Sequence, residues 1–218
     1  MIRRLASALL IAAAVLVALP AGAQSTATDG HAVVEKMLAR NPSLRSFQAR
    51  VHVDVRMLNF PFLSPKLDGT SYFKRPNNYE VVFDRVPSYA KGFQKLFADI
   101  GDPASWEKDQ RLSIDGVRAL GGRPMIALRL TKKIHSSQLD YTLAYVDPAT
   151  YQVAQMEWHY TNGGLIVMTQ TFKTEGQYSV IASQHADIHI PHVRAVADAN
   201  YVQYHTNVAV DDAVFERK

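Results

Sequence analysis

The chain has 218 residues, 24 Lys and Arg against 20 Asp and Glu, a formal charge of +4 at pH 7 and no cysteine. The absence of cysteine excludes a disulfide framework and an N-terminal lipid anchor, which needs a cysteine to acylate. Nearly balanced charge, with no basic run longer than a pair such as Lys132-Lys133, argues against a nucleic-acid-binding protein.

The first 23 residues have the pattern of an export signal. Arg3 and Arg4 precede a nearly continuous apolar run from Leu5 to Leu19, and Ala21-Gly-Ala23 provides the small residues that a signal peptidase recognises. The alternative is a retained membrane anchor, but an apolar run of about 15 residues is short for a bilayer, which needs about 20. We therefore predict a cleaved signal peptide over residues 1–23 and a single domain over residues 24–218.

The first part of the mature chain alternates between helix and strand patterns. Asp29 is a helix cap for a predicted helix over His31 to Arg40, and Asn41-Pro42 ends that helix. Apolar and polar residues then alternate strictly from Phe47 to Met57, which predicts a long strand with one buried face. Two further strands are predicted over Leu67 to Lys74 and Tyr79 to Asp84. An amphipathic helix is predicted over Tyr89 to Ile100 and is stopped by Gly101-Asp-Pro103.

The second half, from Gln110 onward, is a series of long strands joined by tight turns. Long strands twist and coil, and two helices are too few to cover both faces of so large a sheet. The predicted fold is mainly β with helices (α+β): one strongly curved antiparallel sheet forming an open half-barrel, with helices plugging its concave face. The predicted strands are Arg123 to Lys133, Leu139 to Val146, Tyr151 to Thr161, Leu165 to Thr174, Tyr178 to Ile190 and Val193 to Asn207.

One short motif carries a family resemblance. Residues 69–77 form a strand that ends in Lys-Arg-Pro-Asn, and the order of elements around it resembles the LolA-like superfamily of outer-membrane lipoprotein carriers and lipoprotein-sorting proteins. The chain departs from the lipoprotein carriers in a helical insertion from Tyr89 to Trp106. The positions that match the second-strand motif of that superfamily are Gly69, Tyr72, Lys74, Arg75, Pro76 and Asn77.

The resemblance implies a function and a set of partners. It implies a non-enzymatic periplasmic protein of a Gram-negative bacterium, which carries or senses lipidic or acylated cargo between the inner and outer membranes. Its partners would be lipid or lipidated protein and membrane-associated donor and acceptor proteins, and it would be a monomer without cofactor. By the same resemblance, Arg75 helps to control closure of the lipid cavity.

The candidate cavity residues are apolar side chains of the predicted strands and the second helix. For each, an ordinary filled core is the alternative. Phe60-Pro-Phe62-Leu63 is a concentrated apolar turn, either buried or exposed as a contact for a membrane or partner. The residues predicted to line the cavity are Phe47, Val51, Val53, Val55, Met57, Tyr72, Phe93, Leu96 and Phe97.

A histidine cluster supplies the main chemical alternative. One face of a predicted strand carries His185, Asp187 and His189, and His192 follows. The alternative function is therefore a metal-dependent periplasmic hydrolase that binds zinc through this cluster. The cluster lacks cysteine, the His-Glu-x-x-His spacing and a general base, and no Gly-x-Ser-x-Gly elbow or phosphate loop occurs elsewhere. An interaction domain without any cavity is the third possibility.

Overall fold

A computed structural model describes residues 29–76, 78–86, 103–134 and 138–216. The predicted signal peptide and the predicted helix over Tyr89 to Ile100 lie outside these residues. Within them, no helix is long and apolar enough to cross a membrane. The elements are α1 (Gly30–Leu38), β1 (Ser46–Met57), β2 (Lys66–Lys74), β3 (Asn78–Phe83), α2 (Pro103–Asp109), β4 (Gln110–Leu120), β5 (Arg123–Lys132), β6 (Leu139–Val146), β7 (Val153–Tyr160), β8 (Leu165–Glu175), β9 (Tyr178–Ile190) and β10 (Val193–Thr206).

All ten strands belong to one antiparallel sheet in the order β3-β2-β1-β10-β9-β8-β7-β6-β5-β4. The pairing of β1 with β10 joins the first and the last strand, and every other pair consists of strands that are neighbours in sequence. The edge strands β3 and β4 do not pair with each other in the described part of the chain, so the sheet is open. The predicted single antiparallel sheet is confirmed, and its open arrangement is consistent with a half-barrel. That the helices plug a concave face stays a prediction.

The main apolar cluster lies on one face of the sheet, which we call the core face, and Met125, Leu143 and Tyr145 form a smaller separate cluster. Along β1, every second residue from Phe47 to Met57 is buried, whereas the residues that alternate with them are partly or fully exposed. The buried residues are Phe47, Ala49, Val51, Val53, Val55 and Met57. This alternation follows from the two-residue period of a strand and confirms the sequence prediction. The helices contribute buried side chains to the same apolar cluster, namely Val33, Val34 and Met37 from α1 and Trp106 from α2.

Helix α1 begins where the sequence predicts. The Asp29 side chain accepts a hydrogen bond from the His31 backbone N–H at 3.1 Å, as an N-cap does. Helix α2 differs from prediction, because it begins at Pro103, where the sequence had indicated a helix end. Proline has no N–H to donate and a fixed φ, which suits the first position of a helix as well as the end of one. The two helices meet through His31, whose Nδ1 lies 2.6 Å from Oε1 of Glu107.

Candidate ligand-binding site

A cavity of about 150 Å³ opens at one end of the sheet, between the sheet, the C-terminal end of α1 and the loop that follows it. We call residues 39–45 of that connection the rim loop. Strand ends and turns from β1, β2, β3, β7, β8 and β9 supply the rest of the wall. The lining residues are Met37, Leu38, Arg40, Asn41, Leu44, Phe47, Phe73, Arg75, Tyr79, Pro103, Tyr151, Gln152, Val153, Gln170, Phe172, Ser179, Val180 and Ile181.

Aromatic rings form one wall of the cavity. The ring of Phe47 stacks on Phe73 with centroids 5.4 Å apart and meets the edges of Tyr79 and Tyr204 at 6.3 Å and 5.3 Å. These residues come from four adjacent strands, whose side chains meet on the core face. The result is a rigid apolar surface that offers contact area and little hydrogen bonding.

The buried polar side chains beneath the cavity satisfy one another. Gln170 Nε2 donates to the Val153 carbonyl at 2.8 Å, and Gln184 Nε2 donates to Gln170 Oε1 at 3.2 Å. The Tyr201 hydroxyl donates to Gln184 Oε1 at 2.6 Å. Burial raises the pKa of Tyr201 well above its usual value, so this hydroxyl stays neutral at physiological pH. The network rigidifies the floor, and its donors and acceptors already have protein partners.

Arg75 fastens β2 to the rim loop. Its Nε donates to the Leu44 carbonyl at 2.6 Å and its Nη2 to the Asn41 carbonyl at 2.7 Å, while its backbone N–H donates to the Arg45 carbonyl at 2.8 Å. The guanidinium therefore satisfies carbonyl groups that follow the end of α1 and would otherwise need water. Arg75 stands at the cavity edge, where the sequence placed a gating residue, and its gating role remains a proposal.

The structure explains the residue type at two other positions of the strand motif. A Cβ atom on Gly69 would lie 2.5 Å from the Val82 carbonyl oxygen and 2.8 Å from the Phe83 ring, so only glycine fits between β2 and β3 there. Lys74 Nζ donates to the Val210 carbonyl at 3.1 Å and lies 2.7 Å from Asp212 Oδ1, which anchors the C-terminal segment.

Sequence reasoning treated Asn41 only as a helix terminator, yet it holds the other side of the rim loop. Its Nδ2 donates to the Ser179 carbonyl at 2.9 Å, and its Oδ1 accepts from the Ser179 N–H at 3.2 Å. An asparagine side chain matches a strand backbone in this way because it carries one donor and one acceptor. Asn-Pro after a helix hinted at a turn, but nothing in the sequence indicated its partner on β9.

Arg40 is a second residue that the sequence did not single out. It is half-buried, lines the cavity and places its guanidinium 5.5 Å from the centroid of the Phe172 ring. Burial lowers its pKa, and no carboxylate among the described residues compensates. The cavity therefore combines an apolar wall with two cations, Arg40 and Arg75, for which the described part of the chain supplies no acidic partner. The Arg75 guanidinium bonds to backbone carbonyls, whereas that of Arg40 lies over an aromatic ring.

The predicted cavity residues fall into three groups. Phe47 lines the cavity, while Val51, Val53, Val55 and Met57 are buried further along β1 and do not reach it. Tyr72 does not line it either. Tyr72 pairs with Gln48 across β1 and β2, and the strand alternation places both on the outer face, opposite the core. Phe93, Leu96 and Phe97 lie outside the described residues.

The histidine cluster does not form a metal centre. His185, Asp187 and His189 are exposed on the outer face of β9, and His185 Nδ1 lies 2.6 Å from Asp198 Oδ1 of β10. The other ring nitrogen of His185, Nε2, lies 3.7 Å from Asp187 Oδ2, so this imidazole is placed between two carboxylates at the sheet surface. Within the described ranges, no group of three or more His, Cys, Asp or Glu side chains could hold a metal ion. The structure thus gives no support to the zinc hydrolase alternative.

Comparisons with known proteins rest on structure alone, because no family model and no curated protein matches the chain. Several solved structures superpose over most of their length. A LolA superfamily protein from Nitrosomonas europaea has a TM-score of 0.63 at 12% identity, covering 87% of this chain and 98% of that one. A putative outer membrane lipoprotein-sorting protein domain from Vibrio parahaemolyticus has a TM-score of 0.62 at 11% identity, covering 85% and 95%.

A DUF1329 family protein from Desulfovibrio piger gives a TM-score of 0.62 at 10% identity, covering 86% of this chain and 97% of that chain. At such low identity the likeness establishes the fold and no more. It agrees with the resemblance carried by the motif at residues 69–77. The chain therefore has the fold of the LolA superfamily protein and of the other two solved structures.

Proposed function

We propose that this protein is a periplasmic carrier or binding protein that shields an apolar part of a lipidic or acylated molecule in the cavity beside the rim loop. The observation that carries the proposal is the cavity itself, an apolar pocket in a LolA-like fold. The similar fold of a putative outer membrane lipoprotein-sorting protein domain supports this class of cargo. The periplasmic location rests on the predicted signal peptide, and membrane-associated donors and acceptors on the resemblance.

The size of the cavity limits what it holds in this conformation. An apolar cavity of about 150 Å³ accommodates a benzene-sized group, which is about six carbons of an acyl chain. Burying a CH₂ group contributes about 0.8 kcal/mol, so six carbons contribute at most about 5 kcal/mol before the costs of binding. A longer chain needs more room, and the rim loop is the longest part of the wall outside the helices and strands of the described residues.

Arg75 is the proposed latch of the rim loop. Opening would release the hydrogen bonds from its guanidinium to Leu44 and Asn41, each a bond with a charged donor. Such bonds contribute about 1.5 to 3 kcal/mol each, a range similar to the gain from burying additional chain. The free energy of closing the rim loop is therefore comparable to the free energy of burying the cargo. A carrier needs this balance because it must both load and release its cargo.

Arg40 indicates the chemistry of the polar end of the cargo. A half-buried cation beside an apolar wall favours an amphiphile with an anionic group, because ionic contact restores the stabilisation that burial removes. We infer that a carboxylate or phosphate of the cargo faces Arg40 while its chain contacts Phe47, Phe73 and Phe172. The internally satisfied glutamines and Tyr201 support a binding role rather than catalysis.

Native mass spectrometry of the protein purified from its host tests the proposal. Lipid or acylated molecules that co-purify are the expected result. A matched pair of variants assigns the site: Val180→Phe fills the cavity, while Val167→Phe adds the same ring on the outer face of β8. The first variant should lose the co-purifying molecule and the second should keep it. A wild type that carries stoichiometric zinc and no lipid would contradict the proposal.

A further inference from the structure

The connection between β1 and β2 exposes an unusual concentration of apolar side chains. We call residues 58–65 the aromatic loop. Phe62 has 80% of its surface exposed, Leu58 53% and Phe60 41%. Single exposed apolar residues are common on proteins, but three within five positions of one loop form a patch, and such patches usually contact a partner or a membrane.

The loop holds this exposed arrangement through its own hydrogen bonds. The Leu58 N–H donates to the Arg194 carbonyl at 2.7 Å, and the Arg194 N–H donates to Asn59 Oδ1 at 2.7 Å, which ties the loop to β10. Within the loop, the Leu63 N–H donates to the Phe60 carbonyl at 2.8 Å, and the two phenylalanine rings meet edge to face at 6.2 Å. The exposed rings therefore stand on an ordered turn.

Positive charge surrounds the loop. Arg56 precedes it, Lys66 follows it with 84% of its side chain exposed, and Arg194 lies beside it. No Asp or Glu occurs between Val55 and Leu67. The adjacent acid on β1, Asp54, has its Oδ1 3.4 Å from Lys66 Nζ. Aromatic rings with flanking cations match the interface of an anionic bilayer, where rings enter the headgroup layer and cations attract lipid phosphates.

We propose that the aromatic loop is a membrane-docking element that inserts Phe60 and Phe62 into the headgroup region of an anionic bilayer. A protein partner would match the rings equally well, but it would not account for the surrounding cations, and we therefore assign the surface to lipid. The loop follows Met57, whereas the cavity lies at Phe47, roughly 33 Å away along β1. Docking would leave the cavity end facing away from the membrane, free for exchange with a second partner.

Vesicle co-sedimentation of the full chain tests this surface. Wild type is expected to bind vesicles of phosphatidylcholine mixed with phosphatidylglycerol, and binding to pure phosphatidylcholine should be weaker. The Phe60→Ser/Phe62→Ser variant should bind at least about tenfold more weakly to both, since each ring contributes apolar area. The Arg56→Gln/Lys66→Gln variant should lose about fivefold per cation on the anionic vesicles alone. Val117→Ser removes an apolar residue that is 65% exposed on β4 and should change nothing.

A Phe62→Trp variant gives a second readout that requires no loss of binding. Its emission should shift to the blue with anionic vesicles and should be quenched by lipids brominated near the headgroup. Equal vesicle binding by wild type and the double serine variant would overturn the proposal. The proposal would also be overturned if wild type did not bind vesicles and self-associated through the same rings, because the loop would then be a protein interface.

Discussion

Replacing Arg40 with methionine separates the charge at the cavity from the packing of the side chain. The Arg40 guanidinium lies over the Phe172 ring, and its aliphatic part lines the cavity. Methionine retains a flexible apolar chain of similar reach and removes only the cation. Arg45 offers a matched control, because it is an exposed arginine of the same rim loop that does not line the cavity.

The magnitude follows from the burial of Arg40. A hydrogen bond to a charged group contributes about 1.5 to 3 kcal/mol, and the half-exposed position of Arg40 places the effect near the lower limit. Arg40→Met should therefore weaken binding of a fatty acid about tenfold. Binding of the alcohol of equal chain length should stay within about threefold, because the apolar wall is intact. The unliganded variant should be no less stable than wild type, since folding partly desolvates this charge and lowers its pKa.

Displacement of a fluorescent fatty acid from delipidated protein measures both affinities, and thermal unfolding checks the fold. Arg45→Met should leave both affinities unchanged. Equal losses for the acid and the alcohol would show that Arg40 acts by packing and not by charge. No loss for either would show that the ligand does not reach Arg40. Failure of every acid and alcohol to bind wild type would instead count against the proposed function.

Three further predictions concern the rim loop, the strand motif and pH. Arg75→Ala should accelerate release of a bound fatty acid in stopped-flow displacement and lower the free energy of unfolding by about 2 to 4 kcal/mol; unchanged release would remove its role as latch. Gly69→Ala should destabilise the fold by about 1 to 3 kcal/mol in urea unfolding, because its Cβ would meet the Val82 carbonyl oxygen at 2.5 Å; an unchanged midpoint would refute this. The hydrogen bond to Glu107 raises the pKa of His31 in the folded protein. Protonated His31 therefore stabilises the fold fully below its unfolded pKa of about 6.5, and this stabilisation is lost as pH rises through the folded pKa. Glu107→Gln should therefore lower Tm at about pH 5.5 and not at about pH 9, and an equal effect at both would contradict the linkage.

Much of the sheet could be predicted because its signal is local. The alternation from Phe47 to Met57 fixes both the strand and its buried face, and the predicted bounds of β6 and β9 agree with the structure. Every pair in the sheet except β1 with β10 joins strands that are neighbours in sequence, so the connections between neighbours determine most of the topology. Pro103 was ambiguous because one residue type serves both the end and the first turn of a helix.

The site was predicted less well because its geometry depends on contacts that are distant in sequence. The motif pointed to Arg75 by resemblance, but its acceptors lie 31 and 34 residues away, on a loop with no sequence signature of its own. Tyr72 matched the motif and was assigned to the cavity, although its alternation with Ser71 and Phe73 on β2 would have placed it on the outer face. Arg40 is the last residue of the predicted helix, and nothing in the sequence indicates that its guanidinium lies against the Phe172 ring at the cavity.

The rim loop is held by β2, by β9 and by Asn207, whose Oδ1 accepts from the Arg45 N–H at 2.8 Å, and this constrains how the cavity can open. Arg75 grips it from β2 through the carbonyls of Leu44 and Asn41, and Asn41 also pairs with both backbone groups of Ser179 on β9. Since Asn41 belongs to both attachments, a movement that breaks one strains the other, and the loop should open as a unit. Net contributions of about 1 kcal/mol for each neutral bond and about 1.5 to 3 for each charged one place release of the two Arg75 and two Asn41 bonds near 5 to 8 kcal/mol. Six buried carbons supply at most about 5 kcal/mol, so short chains would bind without opening the loop, whereas a chain that buries about ten carbons or more would supply enough to offset the release of these bonds.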